Sequence, residues 1–147
     1  MNLTASYDFN APAQKVWDLL MNTDAVGGCL PGSRGLQPIG DDRYEVELVV
    51  GVAAISGNFK GTVAIQEKAP PQSYMLVVEG SGRPGFVKGQ ARVRLEPDGE
   101  RTRVHVDADA DVGGMIARVG QRLLEGVART TMDRFYACLA KQVGERS

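Results

Sequence analysis

Three groups of residues have the types and spacing from which chemistry could be built. His105, the single histidine, alternates onto the same strand face as Asp107, Asp109 and Asp111. An imidazole among carboxylates could hold a metal or exchange protons. Residues two apart on a strand point the same way along a line, however, and converge only if a second strand contributes. This stripe also lies opposite Val104, Val106, Ala108 and Ala110, so it reads as the solvated face. Gly80-Ser81-Gly82-Arg83-Pro84-Gly85 matches GxGxxG letter for letter. That motif binds dinucleotides only between a strand and a helix, where the pyrophosphate meets the helix N-terminus. Residues 86–95 alternate like a strand, so the segment reads as a glycine-rich turn. Cys29 and Ser33 are potential nucleophiles, but a nucleophile needs a base within hydrogen-bond reach. The sole histidine faces away, and no paired carboxylates fall on the inner face for acid–base work. Cys29 and Cys138 form no CxxC pair, which removes zinc and redox spacing. Without a secretion signal reduced thiols are expected, with a structural disulfide as the alternative.

The elements that must carry these residues follow from hydropathy. The 147 residues fit one domain spanning the whole chain, able to bury a core without metals or disulfides. Hydrophobic residues make up 43% and charged residues 24%, and the net charge is -1, a balance with no global field to attract nucleic acid. The N-terminus lacks a signal peptide. The longest apolar run, residues 48–55 with one glycine, is far too short to span a bilayer. A cytoplasmic protein is expected, with any membrane contact peripheral. Leu3, Ala5, Tyr7 and Phe9 alternate with polar neighbours as a first strand. Asn10 is a plausible helix N-cap and Pro12 suits a first turn, ahead of Val16, Trp17, Leu19 and Leu20. Thr23 or Asp24 would cap a second short helix ended by Gly27 and Gly28, and 29–32 form an irregular corner. Period-two alternation then marks strands over 43–50, 58–66, 74–79, 87–96 and 103–112, with Asp98-Gly99 as a hairpin turn.

From about Met115 the period changes to 3.6. Ile116, Val119, Leu123, Val127, Thr131 and Phe135 form the stripe of a helix of about 28 residues, roughly 40 Å long. Arg118, Arg122, Arg129, Arg134 and Lys141 give it a basic outer face, solvated or able to meet an acidic partner or anionic lipid. Nothing interleaves aromatic residues with these cations, so nucleic acid is not expected. Only a curved sheet supplies a groove long enough for the stripe. The fold class is therefore α+β, a curved antiparallel sheet wrapped around a long C-terminal helix.

The inward positions are small. Gly61, Gly89, Ala91, Ala108 and Ala110 face in, and the chain has one Trp, four Tyr and four Phe to fill the space they leave. The glycines read two ways, as points of sheet bending and close approach or as the walls of an apolar cavity. The cavity reading expects an enclosed pocket of Ala, Val, Leu, Ile and Phe.

These residues reach a known pattern. Pro12, Val16 and Trp17, then Leu30-Pro31-Gly32, residues 40–44, Val50-Gly51 and residues 59–63 resemble the G-subunit family of carbon monoxide dehydrogenase, within the START-like (SRPBCC) superfamily. The glycine-rich block 80–91 looks like the family's signature, and Gly113-Gly114, Ala117, Gly120 and Arg122-Leu123-Leu124 match the start of its long helix. Val52 stands where the family often has proline, and the chain stops at Ser147 where many members continue into a membrane-associating extension. The resemblance implies a helix-grip fold. It also implies an accessory role beside a molybdenum hydroxylase, with membrane recruitment or quinone handling as the proposed tasks.

The leading expectation is a non-catalytic binding module for an apolar molecule such as a quinone or lipid, with no metal and with homodimerisation left open. Phe86 at the tip of loop 82–89 is expected to gate or touch ligand. Phe59, Gly89, Ala91, Ala108, Ala110, Ile116, Val119, Leu123 and Val127 are expected to line the cavity. A small cyclase- or hydrolase-like enzyme is the first rival, with Tyr44, Tyr74 and Glu79 as its polar groups. A ligand-free docking protein is the second.

Overall fold

Alternation gives each strand one face that must leave water, and the strand register joins those faces into a single concave surface. The computed structural model describes residues 1–52 and 55–144. Among them lie strands β1 (Asn2–Phe9), β2 (Ser33–Gly40), β3 (Arg43–Val52), β4 (Ile55–Ala69), β5 (Ser73–Gly82), β6 (Gly85–Asp98) and β7 (Arg101–Gly113). All pair antiparallel, in the order β1-β7-β6-β5-β4-β3-β2. Asp98-Gly99 turns β6 into β7, and a strand, not a helix, follows the GxGxxG segment. The apolar run 48–55 includes residues 53–54, which lie outside the described residues.

Strand β2 is the one that alternation does not reveal. Gly35 and Pro38 interrupt its pattern, and its register against β3 shifts between Ser33 and Leu36 and again between Pro38 and Gly40. Proline is tolerated there because β2 is an edge strand.

Helix α1 (Ala13–Leu20) buries Val16, Trp17 and Leu20, and Pro12 rather than Asn10 holds its N-cap position. Helix α2 (Thr23–Cys29) is capped by Asn22, not by Thr23 or Asp24. The Asn22 side chain accepts hydrogen bonds from the N–H groups of Asp24 and Ala25, both at 3.1 Å. The C-terminal helix does not run unbroken from Met115. A 3-10 segment spans Gly114–Val119, Gly120 takes φ 98°, and α3 (Gln121–Gly144) then runs for 24 residues. A 3-10 segment advances about 120° per residue against about 100° in an α-helix. The positive φ, which glycine adopts without penalty, re-aims the chain as well. The buried stripe therefore shifts phase. Leu123 is 41% exposed, while Tyr136, Leu139 and Val143 are buried. No helix among the described residues is long and apolar enough to cross a membrane.

The thiols need a correction too. Cys29 and Cys138 form a disulfide, not two free thiols, across 109 residues. Docking of α3 beside α2 brings their Cα atoms to 5.6 Å, an ordinary bridging distance.

Helices α1 and α3 close over β1, β7 and β6, where Phe9, Val16, Val93, Val104 and Leu139 are wholly buried. The one buried polar side chain there, Thr102, donates to the Ala11 carbonyl at 2.8 Å. It is buried without an orphaned group.

Candidate functional site

The opposite end of the same concave face is not filled. Val46, Leu48 and Val50 of β3 and Phe59 and Val63 of β4 point inward yet stay half-buried. With Val78, Val87, Val112, Ile116 and Val127 they line a half-open chamber of ≈ 370 Å³. A second chamber of ≈ 170 Å³ lies nearer the packed core, between α2, Tyr44, Ile65, Tyr74, Leu76 and the α3 residues Phe135 and Tyr136. Leu30, Val63 and Val78 border both, so the two adjoin. Gly61 pairs with Gly80 in the chamber wall. A Cβ on Gly61 would collide with the backbone of Glu79.

The lining is almost wholly apolar. Thr62 and Glu79 also border the larger chamber. The Glu79 carboxylate points to solvent, where it pairs with Lys88 at 3.6 Å. Neither chamber's lining includes an Asp, Lys, Arg or His among the described residues.

The polar residues of the smaller chamber are Thr23 and the phenols of Tyr44, Tyr74 and Tyr136. Tyr74 meets the Trp17 ring edge-on, with centroids 5.5 Å apart. Tyr136 stacks on Tyr7 at 4.4 Å and takes edge contacts from Phe9 and Phe135. Tyr7 donates to Asp133 Oδ1 at 2.8 Å. Burial, followed by the neighbouring phenol, pushes Tyr74 and Tyr136 above the ordinary phenol range. Burial and then the Asp133 carboxylate do the same to Tyr7. All three stay protonated at neutral pH, and Tyr7 alone of them has a hydrogen-bond acceptor among the described residues.

Of the expected contacts, Phe59, Ile116 and Val127 line the larger chamber. The others do not. Phe86 is 50% exposed. Strand β6 already begins at Gly85, so alternation turns Phe86 away from the inward Val87, and its ring covers Gly113. Segment 82–89 is accordingly mostly strand rather than a loop at an entrance. Gly89 faces Ala110 so closely that a Cβ on it would meet the Ala110 Cβ at 3.0 Å. Ala91 faces Ala108 and packs against the core. These small residues serve close approach, as Gly61 does against the Glu79 backbone, although Gly61 and Gly80 also border the larger chamber. Val119, half-buried in the 3-10 segment, is off the lining, and Leu123, just past the break at Gly120, is exposed. Among the polar candidates Tyr44 and Tyr74 line the smaller chamber and Glu79 turns out.

Sequence reasoning missed Tyr136, Leu30 and the α2 wall. Tyr136 sits beside Phe135 in the stripe, and only the phase shift of α3 reveals which of the two is buried deeper. His105 lies on the outer face, its Nδ1 2.8 Å from Ser6 Oγ and its Nε2 3.3 Å from Glu96 Oε2. No group of metal-ligating side chains is assembled among the described residues.

Residues 6–144 match the model of the CoxG family, the G-subunit family of carbon monoxide dehydrogenase. No functionally curated protein matches in sequence. Among solved structures, a conserved protein from Geobacillus kaustophilus superposes with TM-score 0.95 at 32% identity, over 99% of this chain and 96% of that one. A START superfamily protein from Mycobacterium smegmatis follows with TM-score 0.74 at 17% identity, over 99% of each chain. The Zhui aromatase/cyclase from Streptomyces sp. R1128 has TM-score 0.71 at 16% identity, over 99% and 94%. The last two share the fold.

Proposed function

The chain belongs to the CoxG family of carbon monoxide dehydrogenase, and from that premise we propose that it is a non-catalytic accessory protein that carries one apolar molecule in the paired chambers. The observation that carries this reading is the lining itself. A ≈ 370 Å³ space walled by valine, leucine, isoleucine and phenylalanine falls in the size range of ligand sites and has their apolar character. Displacing water from such walls yields about 25 cal/mol per Å² of apolar surface covered. The phenols at the inner end are protonated donors, suited to orienting a ligand rather than to exchanging protons near neutral pH.

The ligand is a quinone or another lipid, and the partner a molybdenum hydroxylase. Family membership supports the partner, and the adjoining chambers, one almost wholly apolar and one bordered by phenols, suit a molecule with an apolar body and a polar head. Native mass spectrometry of the purified protein, with organic extraction of whatever comes off, tests the reading. A co-purifying quinone or lipid at one equivalent is the expected result. A protein that purifies empty and binds neither added menaquinone nor added ubiquinone would instead serve docking alone.

A further inference from the structure

The smaller chamber is apolar on most sides, yet two phenols that line it are nearly closed off from water. Tyr74 is 3% exposed and Tyr136 4%. Neither hydroxyl has a hydrogen-bond partner among the described residues, whereas the Tyr7 hydroxyl on the far side of the Tyr136 stack is held by Asp133. No fully enclosed side-chain N or O atom in the described structure lacks a partner. The Tyr74 and Tyr136 hydroxyls therefore keep a small accessible surface, and the chamber both residues line is where it can lie. Leaving two such donors unpaired in a low-dielectric site costs free energy that an acceptor would recover.

We propose that Tyr74 and Tyr136 form the polar end of the ligand site and donate hydrogen bonds to a neutral carbonyl oxygen at the head of the apolar ligand, whose body extends past Val63 and Val78 into the larger chamber. This rests on the reading that the chambers hold an apolar molecule. It adds the chemical class of the head group and the residues that read it. The class is neutral because no cation borders either chamber among the described residues. A carboxylate seated against two phenols would lose its hydration without a counter-charge. The class carries an acceptor because the two nearly buried phenol O–H groups have none among the described residues. A pure hydrocarbon would leave both donors unsatisfied, and the ≈ 170 Å³ volume exceeds what a single bridging water needs.

The test compares three probes of equal chain length, methyl decyl ketone, dodecane and laurate, on the wild-type protein and on Tyr74→Phe and Tyr136→Phe. Each substitution keeps the ring, and so the Trp17 and Tyr7 contacts. The wild type is expected to bind the ketone at least as tightly as dodecane and laurate least at neutral pH. Each variant should weaken the ketone about three- to ten-fold and leave dodecane unchanged. The carbonyl stretch of the bound ketone should lie at lower frequency in the wild type than in either variant, a readout that survives if one variant folds poorly. Dodecane binding with ketone affinity and carbonyl frequency unmoved in both variants would overturn the polar anchor and leave the apolar carrier intact. Laurate binding tighter than the ketone would overturn the neutral class. Failure of all three probes would overturn both readings.

Discussion

Two ends of one sheet face obey the same alternation and end in opposite states. At the β1–β7–β6 end, Phe9, Val93, Leu95, Val104 and Val106 interlock with Val16, Trp17 and Leu139 and are buried. At the β3–β4 end, Val46, Leu48, Val50, Phe59 and Val63 point the same way and remain half-buried around a chamber. The residue types barely differ. What differs is the cover. Helix α1 and the C-terminal part of α3 supply Trp17, Tyr136, Leu139 and Val143 to one end, while the other receives only Ile116, Val127 and Leu30. An inward-facing valine is therefore core or ligand wall according to what the helices bring opposite it, and substitutions at the two ends should differ in kind.

The largest effect belongs to the packed end. Phe9→Ala removes a wholly buried ring in edge contact with Tyr136 and should cost about 3–5 kcal/mol in urea denaturation. A loss below about 1 kcal/mol would mean that end is no better filled than the chamber. Next comes the disulfide that fastens α3 to α2. Cys29→Ser with Cys138→Ser opens a crosslink across 109 residues and should lower stability by about 2–4 kcal/mol on the same assay. The sharpest comparison is one substitution placed at both ends. Val93→Phe enlarges a wholly buried side chain in the packed end and should cost about 1–3 kcal/mol. Val78→Phe enters the space between the chambers and should cost less than about 1 kcal/mol while reducing apolar-probe binding more than ten-fold. Equal stability losses for the two would erase the distinction.

The smallest effect is a pH dependence. Burial raises the Tyr74 and Tyr136 phenols in the folded state above their unfolded value of 10.0. The unfolded chain then releases protons first, so their contribution is complete below pH 10 and is lost as pH rises above it. Urea midpoints should hold steady to about pH 9, and each phenol so raised should take about 1.4 kcal/mol from stability by about pH 11. Tyr74→Phe should flatten that fall, and a slope unchanged by the substitution would mean that Tyr74 is not held protonated by the fold.

Much of this architecture is legible in the chain, and the gaps have physical causes. Strands β3 to β7 announce themselves because period-two alternation is a local property. Strand β2 does not, because Gly35 and Pro38 break the pattern at an edge where pairing tolerates it. The helical stripe is legible in type but not in phase, since one glycine at positive φ after a 3-10 segment rotates everything that follows. That rotation takes Leu123 off the chamber wall and brings Tyr136 to it. Phe86 leaves the wall because β6 begins one residue ahead of it, and a single residue of register decides the face. Phe59, Ile116 and Val127 are legible because they sit close to unambiguous anchors. The Cys29–Cys138 bridge is not, since only the docking of α3 against α2 brings the two together.

Valine methyl NMR with added methyl decyl ketone tests the central distinction most directly. Shifts are expected only at valines that line the chambers, Val26, Val46, Val50, Val63, Val78, Val87, Val112 and Val127, with Val16, Val93 and Val104 unmoved. Shifts spread over the packed valines, or none at all at saturating ketone, would contradict it.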